Sequence, residues 1–485
     1  MTDKHIHHSH HDDTLLTLSH AQAIVIAISA IIILGVTMIA WGFVPHLSLL
    51  LVILGLLMFG FSRRIAFDDM QERMIKGVST GMGAIYLFSF IGLLVSALMM
   101  SGAIPTLIYY GFNVLSPQMF YLSAFILASV IGVALGSGFT TCATVGVAFL
   151  GMTEAFNANP AIVAGAVVSG ALFGDKMSPL SDTTSIAASI VGIDLFDHIK
   201  NMMYTTILAW LISAVVFFVL SGDGGADLAD VAVLQDSLVA SGLVHGYALI
   251  PFVVLIALAV MRVNAIYAIS ATIAVSLIIT YIHSSPSLAE LGGWFFAGYK
   301  PAEGLELGNV GRLVSRGGLE SMFFSQLLVI LALSLGGLLH ALGVLPALLS
   351  AIRHLLTRAS RAVLTASLTA FGVNFLVGEQ YLSLLLSGNT FAPEFKRLGL
   401  HPKNLARTIE DSGTVINPLV PWGVYGVFLT GVFGMPVLDY VPYAVFCYGC
   451  LFLTLFFGFT GITITRADDK LEQAKTHQQT NIKPT

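Results

Sequence analysis

The chain has 485 residues, of which 56% are hydrophobic and only 10% charged, with a mean hydropathy of +0.87. Soluble domains carry about 25% charged residues, so a globular enzyme is excluded and an all-α polytopic membrane protein embedded in a lipid bilayer is expected. A net charge of −5 says little when most of the surface faces lipid, and nothing in the composition points to nucleic acid.

The head of the chain, HIHHSHHDD at 5–13, is a polar, His-rich tract. Such a tract can bind a transition metal weakly, but it reads better as a solvated tail. The first apolar run, Ala21 to Ala40, is long enough to span, so no cleavable signal peptide is evident. Further apolar segments place spans near 21–44, 46–62, 81–113, 160–193, 201–221, 246–261, 264–283, 318–351, 402–435 and 437–461. The segments holding Gly102/Pro105 and Gly343/Pro346 are expected to bend or divide. Two more stretches, 118–151 and 362–390, read as helical hairpins, interrupted by GSGFTTCAT (136–144) and GEQYLS (378–383). The three cysteines form no disulfide framework, and Cys447 and Cys450 read as small residues of an apolar helix.

The two halves resemble each other. Pro346 follows Pro105 by 241 positions, while Pro402 follows Pro160, and Gly434 follows Gly192, by 242. SPL at 178–180 answers NPL at 417–419. The expected plan is a cytoplasmic tail (1–20), repeat 1 (21–221), an external linker (222–245), repeat 2 (246–461) and a second cytoplasmic tail (462–485). Loop charge suggests that the repeats are inverted. FNVLSPQ and MTEAFNAN of repeat 1 carry no Lys or Arg, whereas the matching loops of repeat 2 carry Arg353, Arg358 and Arg361, then Lys396, Arg397 and Lys403. By the positive-inside rule these loops lie on opposite sides, as about five crossings per repeat would give. Arg63, Arg64, Arg73, Lys76, Lys200, Arg262 and Arg466 fall inside on this scheme, and the Asp-bearing linker (Asp223, Asp227, Asp230, Asp236) outside. Lys300, Arg312 and Arg316, in the 284–316 loop, run against it.

The chemistry concentrates at FGDKMSPLSDTT, 173–184, which lies between apolar runs. Pro179 disfavours helical geometry at Ser178, so the helix should break there. A break at membrane depth is tolerated only where protein or a water-filled cavity satisfies the freed backbone, and ionisable groups there are candidate functional sites. Four polar breaks pair up, 136–144 with 378–383 and 174–184 with 410–421. If they meet, they line a cavity with oxygen, which suits a hard cation such as Na+. A carboxylate there also exchanges protons, because desolvation favours its neutral form. It then holds Na+ or H+, but not both.

Asp175 and Asp182 lead as Na+ ligands, followed by Asp411 and Glu379. Lys176 is expected to neutralise Asp175, leaving Asp182 free to titrate. Ser137 and Thr140 offer hydroxyls at a hairpin tip, and Thr141 and Thr144 follow them. Other polar groups have structural readings. Glu379 and Gln380 cap hairpin helices, Glu410 pairs with Arg407 at the cytoplasmic entry, and Tyr381 and Trp422 pack. Asp194, Asp197 and His198 form a solvated helix end beside Lys200.

At GDKMSPLSDTT the chain closely resembles the NhaC family of Na+/H+ antiporters, and RTIEDSGTVINPLVPWG at 407–423 is similar to a second element of that family. With the duplicated layout, the resemblance covers most of residues 20–460. It implies the ion transporter superfamily fold: two inverted repeats, each with a re-entrant hairpin and an interrupted helix. It also implies Na+-for-H+ exchange (Li+ being a candidate) in a bacterial inner membrane. Asp175, Ser178, Ser181, Asp182 and Thr183 match the motif, Asn417 lies in the second element, and no cofactor is implied. Such transporters are often homodimers. Some relatives exchange organic acids, such as malate for lactate, or amino acids, and this is the alternative reading. An intramembrane enzyme is disfavoured because no Ser/His or metal-ligand cluster accompanies the embedded carboxylates.

Overall fold

A computed structural model describes residues 14–222, 228–301, 315–352 and 356–467. The His-rich head, Asp223, Asp227, the Asp230 side chain, Arg312, Arg353 and residues 468–485 lie outside the described residues. The described chain is helical, with one isolated β-bridge, Leu400 to Arg466.

In chain order the helices are α1 (His20–Gly35), α2 (Pro45–Ser62), α3 (Phe67–Thr80), α4 (Met82–Met100), α5 (Ala103–Val114), α6 (Phe120–Leu135), α7 (Gly138–Thr141) and α8 (Val147–Met152). Then follow α9 (Pro160–Met177), α10 (Asp182–Val191), α11 (Leu195–Ser221), α12 (Leu228–Ala240), α13 (Ile250–Val260), α14 (Ala265–His283) and α15 (Leu288–Ala297). The remainder are α16 (Glu320–Ala341), α17 (Val344–Ile352), α18 (Ala359–Val377), α19 (Gln380–Arg397), α20 (Pro402–Ile409), α21 (Val424–Phe433), α22 (Val437–Tyr440) and α23 (Val445–Thr460). Ten helices among the described residues are long and apolar enough to span a bilayer, and the bent pair Val437–Tyr443 with Val445–Thr460, kinked by 58°, adds an eleventh candidate. This is a multi-pass membrane protein.

The expected spans divide where the sequence is locally unable to continue a helix. Ser178 is extended (φ −84°, ψ 130°), as a residue before proline should be, and it separates α9 from α10. The 81–113 and 318–351 segments each split, at Gly102 and Gly343, both with φ of +76°. Left-handed glycines also end α6 (Gly136, +63°), α10 (Gly192, +70°), α18 (Gly378, +78°) and α21 (Gly434, +71°). A Cβ would be strained at each of these positions. Three pairs, Gly102/Gly343, Gly136/Gly378 and Gly192/Gly434, recur at separations of 241, 242 and 242 residues. The breaks themselves thus share one sequence spacing. The linker 222–245 is not a simple loop, since it carries α12, and α3 and α15 are likewise helices between expected spans.

The expected hairpins are α6 with α7–α8, and α18 with α19. Both first arms are as long as spanning helices, and a π-turn at Cys142–Gly146 interrupts the second arm of the first. Small residues let α6 lie directly on α9: a Cβ added at Gly174 would sit 2.3 Å from the Gly132 carbonyl carbon, and one at Gly170 2.4 Å from the Phe125 oxygen. Backbone-to-backbone packing of this kind holds helices together where lipid removes the hydrophobic drive. It brings the end of α6 and its Ser137 against the end of α9 and its Asp175. Cys447 and Cys450 lie buried in α23 as free thiols, as read from the sequence.

Because Gly174 meets backbone rather than a movable side chain, Gly174→Val should separate α6 from α9 and cost about 2 kcal/mol or more. The check is thermal unfolding of the detergent-purified protein. An unchanged melting temperature would refute this account of the α6–α9 contact.

Candidate functional site

The four polar breaks meet. Ser137 caps α7, its Oγ accepting from the Thr140 N–H at 3.3 Å and the Thr140 hydroxyl at 3.2 Å. Across from it, the Asp175 carboxyl faces the Ser181 hydroxyl and the Gly138 N–H. Ser181 caps α10: its Oγ accepts from the Thr184 N–H at 3.4 Å and lies 3.0 Å from the Thr183 hydroxyl. The Ser178 Oγ accepts from the Leu180 N–H at 3.3 Å, which closes the turn between α9 and α10. Glu379 caps α19, accepting from the Leu382 N–H at 2.5 Å. Its structural reading is thus observed in the geometry, and its carboxyl also lies near Asp182.

Between these elements is a cavity of about 310 Å³, whose lining includes Ser137, Thr140, Asp175, Asp182, Gln380 and Arg262. Asp175 is buried, whereas Asp182 is exposed to solvent. Among the described residues neither carboxylate is in an ion pair. The C-terminal ends of α6 and α9 meet here, and helix C-termini carry partial negative charge that favours a cation.

Several expected pairings are corrected. Lys176 does not neutralise Asp175. Its Nζ lies 2.5 Å from Asp411 Oδ1 and 3.1 Å from the Met202 sulfur, while the Thr454 hydroxyl donates to Asp411 Oδ2. Neighbours at i and i+1 on a helix point in different directions, so Asp175 faces the cavity and Lys176 faces α11 and the 410–414 segment. Glu410 does not pair with Arg407. It lies 2.6 Å from His198 Nε2 and accepts from the Thr184 hydroxyl at 2.8 Å. Glu410 itself keeps the α20 register, its N–H donating to the Ala406 carbonyl, so its partners are decided by what packs on it, His198 of α11 and Thr184 of α10. Arg407, 1% exposed, donates instead to the Thr463 hydroxyl at 3.0 Å. His198 is fully buried rather than part of a solvated helix end, although Asp194 caps α11 as expected. Tyr381 is not a packing residue alone, because its hydroxyl donates to Asp182 Oδ2 at 2.5 Å.

Asn417 and Asp411 stand outside the cavity lining. The Asn417 amide is committed to the protein: it donates to Asn374 Oδ1 (2.6 Å) and the Gly378 carbonyl (3.1 Å), and accepts from the Tyr425 N–H (2.7 Å). Asn374 in turn donates to the Gly413 carbonyl. Trp422 packs against Phe375, whose carbonyl accepts from its indole N–H at 2.7 Å. Sequence reasoning missed His198, Arg262 and the role of Tyr381. The signal the sequence held was Arg262 itself, in the short turn between α13 and α14.

Because Lys176 and Asp411 are both buried, removing either charge strands the other. Lys176→Met or Asp411→Asn alone should cost about 3–5 kcal/mol, and the double variant should recover most of it. Chemical unfolding in detergent would test this; additive losses would show that the pair is not coupled.

Comparison with known proteins supplies independent evidence. A family model described as the Na+/H+ antiporter family matches residues 170–462. The chain is 36% identical over 455 residues to the Na+/H+ antiporter NhaC of Alkalihalophilus pseudofirmus, covering 93% of this chain and 96% of that protein. It is 36% identical over 426 residues to the Na+/H+ antiporter NhaC of Bacillus subtilis, covering 86% and 92%. The malate-2H+/Na+-lactate antiporter of Bacillus subtilis is 31% identical over 408 residues, covering 84% and 87%.

Proposed function

This chain belongs to the Na+/H+ antiporter family, and we propose that it exchanges Na+ for H+ at the cavity shared by Asp175 and Asp182. One observation carries the assignment of the site. Among the described residues those two carboxylates are in no ion pair, whereas the adjacent buried Asp411 is paired with Lys176 and Glu410 lies 2.6 Å from His198 Nε2. Carboxylate and hydroxyl oxygens suit a hard cation, with Ser137, Thr140 and Ser181 as the nearby hydroxyls. A proton on either carboxylate removes the charge that holds Na+, so cation and proton compete for one place, and this is all that obligatory exchange requires. Ser178, Thr183 and Glu379 shape the site without a free position toward the cavity. Na+ and H+ are cargo, and the reading needs no cofactor and no enzymatic step.

The same proposal includes two inverted repeats, each with a re-entrant hairpin and an interrupted helix. The paired left-handed glycines and the loop charges support the repeat. The second arm of the first hairpin, Gly138–Met152, is shorter than a spanning helix and supports re-entry. Both termini would then face the cytoplasm of a bacterial inner membrane, and the α13–α14 turn, with Arg262, would put the open side of the cavity there as well.

A second reading, coupled exchange of an organic acid, is favoured by Arg262. It places a cation on the cavity wall, and a volume of about 310 Å³ exceeds what a bare ion needs. Both readings meet one experiment: protein reconstituted in vesicles with a trapped pH dye, given Na+, Li+, K+ or malate. Proton flux driven by Na+ alone establishes cation exchange, while flux only with malate establishes the second reading. Asp182→Asn should reduce Na+-driven flux to that of empty vesicles. Wild-type flux should fall as pH is lowered, because protonation of the carboxylates removes the Na+ site. Full pH-dependent exchange by Asp182→Asn would refute the assignment.

A further inference from the structure

We infer that Tyr381 is the positioning residue for Asp182, a role that rests on the proposed exchange site and goes beyond it. Asp182 opens α10 and its two oxygens are held differently. Oδ1 accepts from the Thr183 N–H at 2.9 Å, within the same helix. Oδ2 accepts from the Tyr381 hydroxyl at 2.5 Å, which reaches it from the first turn of α19, 199 residues away in sequence. Asp182 and Gln380 line the cavity, but Tyr381 does not. The phenol therefore approaches the carboxylate from the side and leaves its cavity face open to a cation.

The charged surroundings of Asp182 give the phenol its importance. From α9, Asp175 stands nearby, and from the α18–α19 break, Glu379, both of them acidic neighbours. Lys176 on α9 is taken by Asp411, and His198 on α11 by Glu410 of the π-helix. Arg407 on α20 is turned to Thr463, and Arg262 stands on the cavity wall. No described side chain other than Tyr381 donates a hydrogen bond to the Asp182 carboxylate. The hydroxyl thus fixes the direction of the Asp182 carboxylate, holding Oδ2 from the side while the cavity face stays open.

The test is Tyr381→Phe in reconstituted vesicles, which keeps the ring and its packing. A hydrogen bond to a charged group contributes enough that the Na+ concentration for half-maximal exchange should rise about tenfold. Maximal exchange at saturating Na+ should survive. A lowered rate at every Na+ concentration with an unmoved midpoint would mean that Tyr381 only packs, and would overturn the inference. Tyr381→Leu guards against a packing artefact: it should show the same shifted midpoint, and a midpoint shift confined to one of the two variants overturns the inference. The thermal melting of each variant in detergent reports whether it is folded. Failure of the exchange reading is separate, because wild-type vesicles would then show no proton flux with Na+ alone.

Discussion

A broken helix inside a bilayer must find partners for every backbone group it frees, and much of this architecture follows from that requirement. Asn417 shows the solution most fully. One buried side-chain amide reaches the carbonyl of Gly378, the Asn374 side chain and the backbone N–H of Tyr425. It joins the end of α18, the 410–419 break and the start of α21. The Asn374 side chain extends the node to Gly413. In the first half the same work is done by short caps, Ser137 for α7 and Ser181 for α10, because the broken ends there border a cavity instead of protein. The two halves satisfy one constraint in two ways, and the difference leaves the carboxylates of the first half open and those of the second half enclosed.

That difference depends in turn on the contact between α6 and α9. Gly132, Gly170 and Gly174 allow the two backbones to touch, and only at that spacing does the Ser137 cap face Asp175. A side chain at any of the three would push apart the two walls that meet at the cavity. The glycines act at a distance from the chemistry, but they set its dimensions.

The breaks were legible in the sequence because they are local. Pro179 forces Ser178 out of the helix, and each left-handed glycine marks a place where a side chain would clash with its own backbone. Most apolar segments were equally readable, since hydropathy is local, but 246–261 holds only a shorter apolar helix, and Pro117–Leu135 and Ala359–Val377, read as hairpin arms, are long enough to span. Charge partners were not. Lys176 lies beside Asp175 in sequence, but consecutive helical residues diverge, so its partner is Asp411 in the other half. Glu410 and Arg407 are correctly spaced for a helical pair and their backbone stays helical, but Glu410 meets His198 and Thr184 on other helices while Arg407 turns to Thr463. His198 looked like part of a solvated end because its neighbours Asp194, Asp197 and Lys200 are polar; it is buried where the Glu410 segment, 212 residues further along, packs against it. The Tyr381 hydroxyl, likewise, finds its acceptor only once the two halves are assembled.

The enclosed Lys176–Asp411 pair has an electrical consequence. A membrane potential does work only on net charge that moves, at about 2.3 kcal/mol per elementary charge per 100 mV. A lysine and an aspartate joined at 2.5 Å travel as a neutral dipole, however far their helices shift. With those charges cancelled, the pair adds nothing to the voltage dependence of any movement of its helices. Only charges left outside such pairs, on side chains and bound ions alike, couple a movement of the helices to the potential.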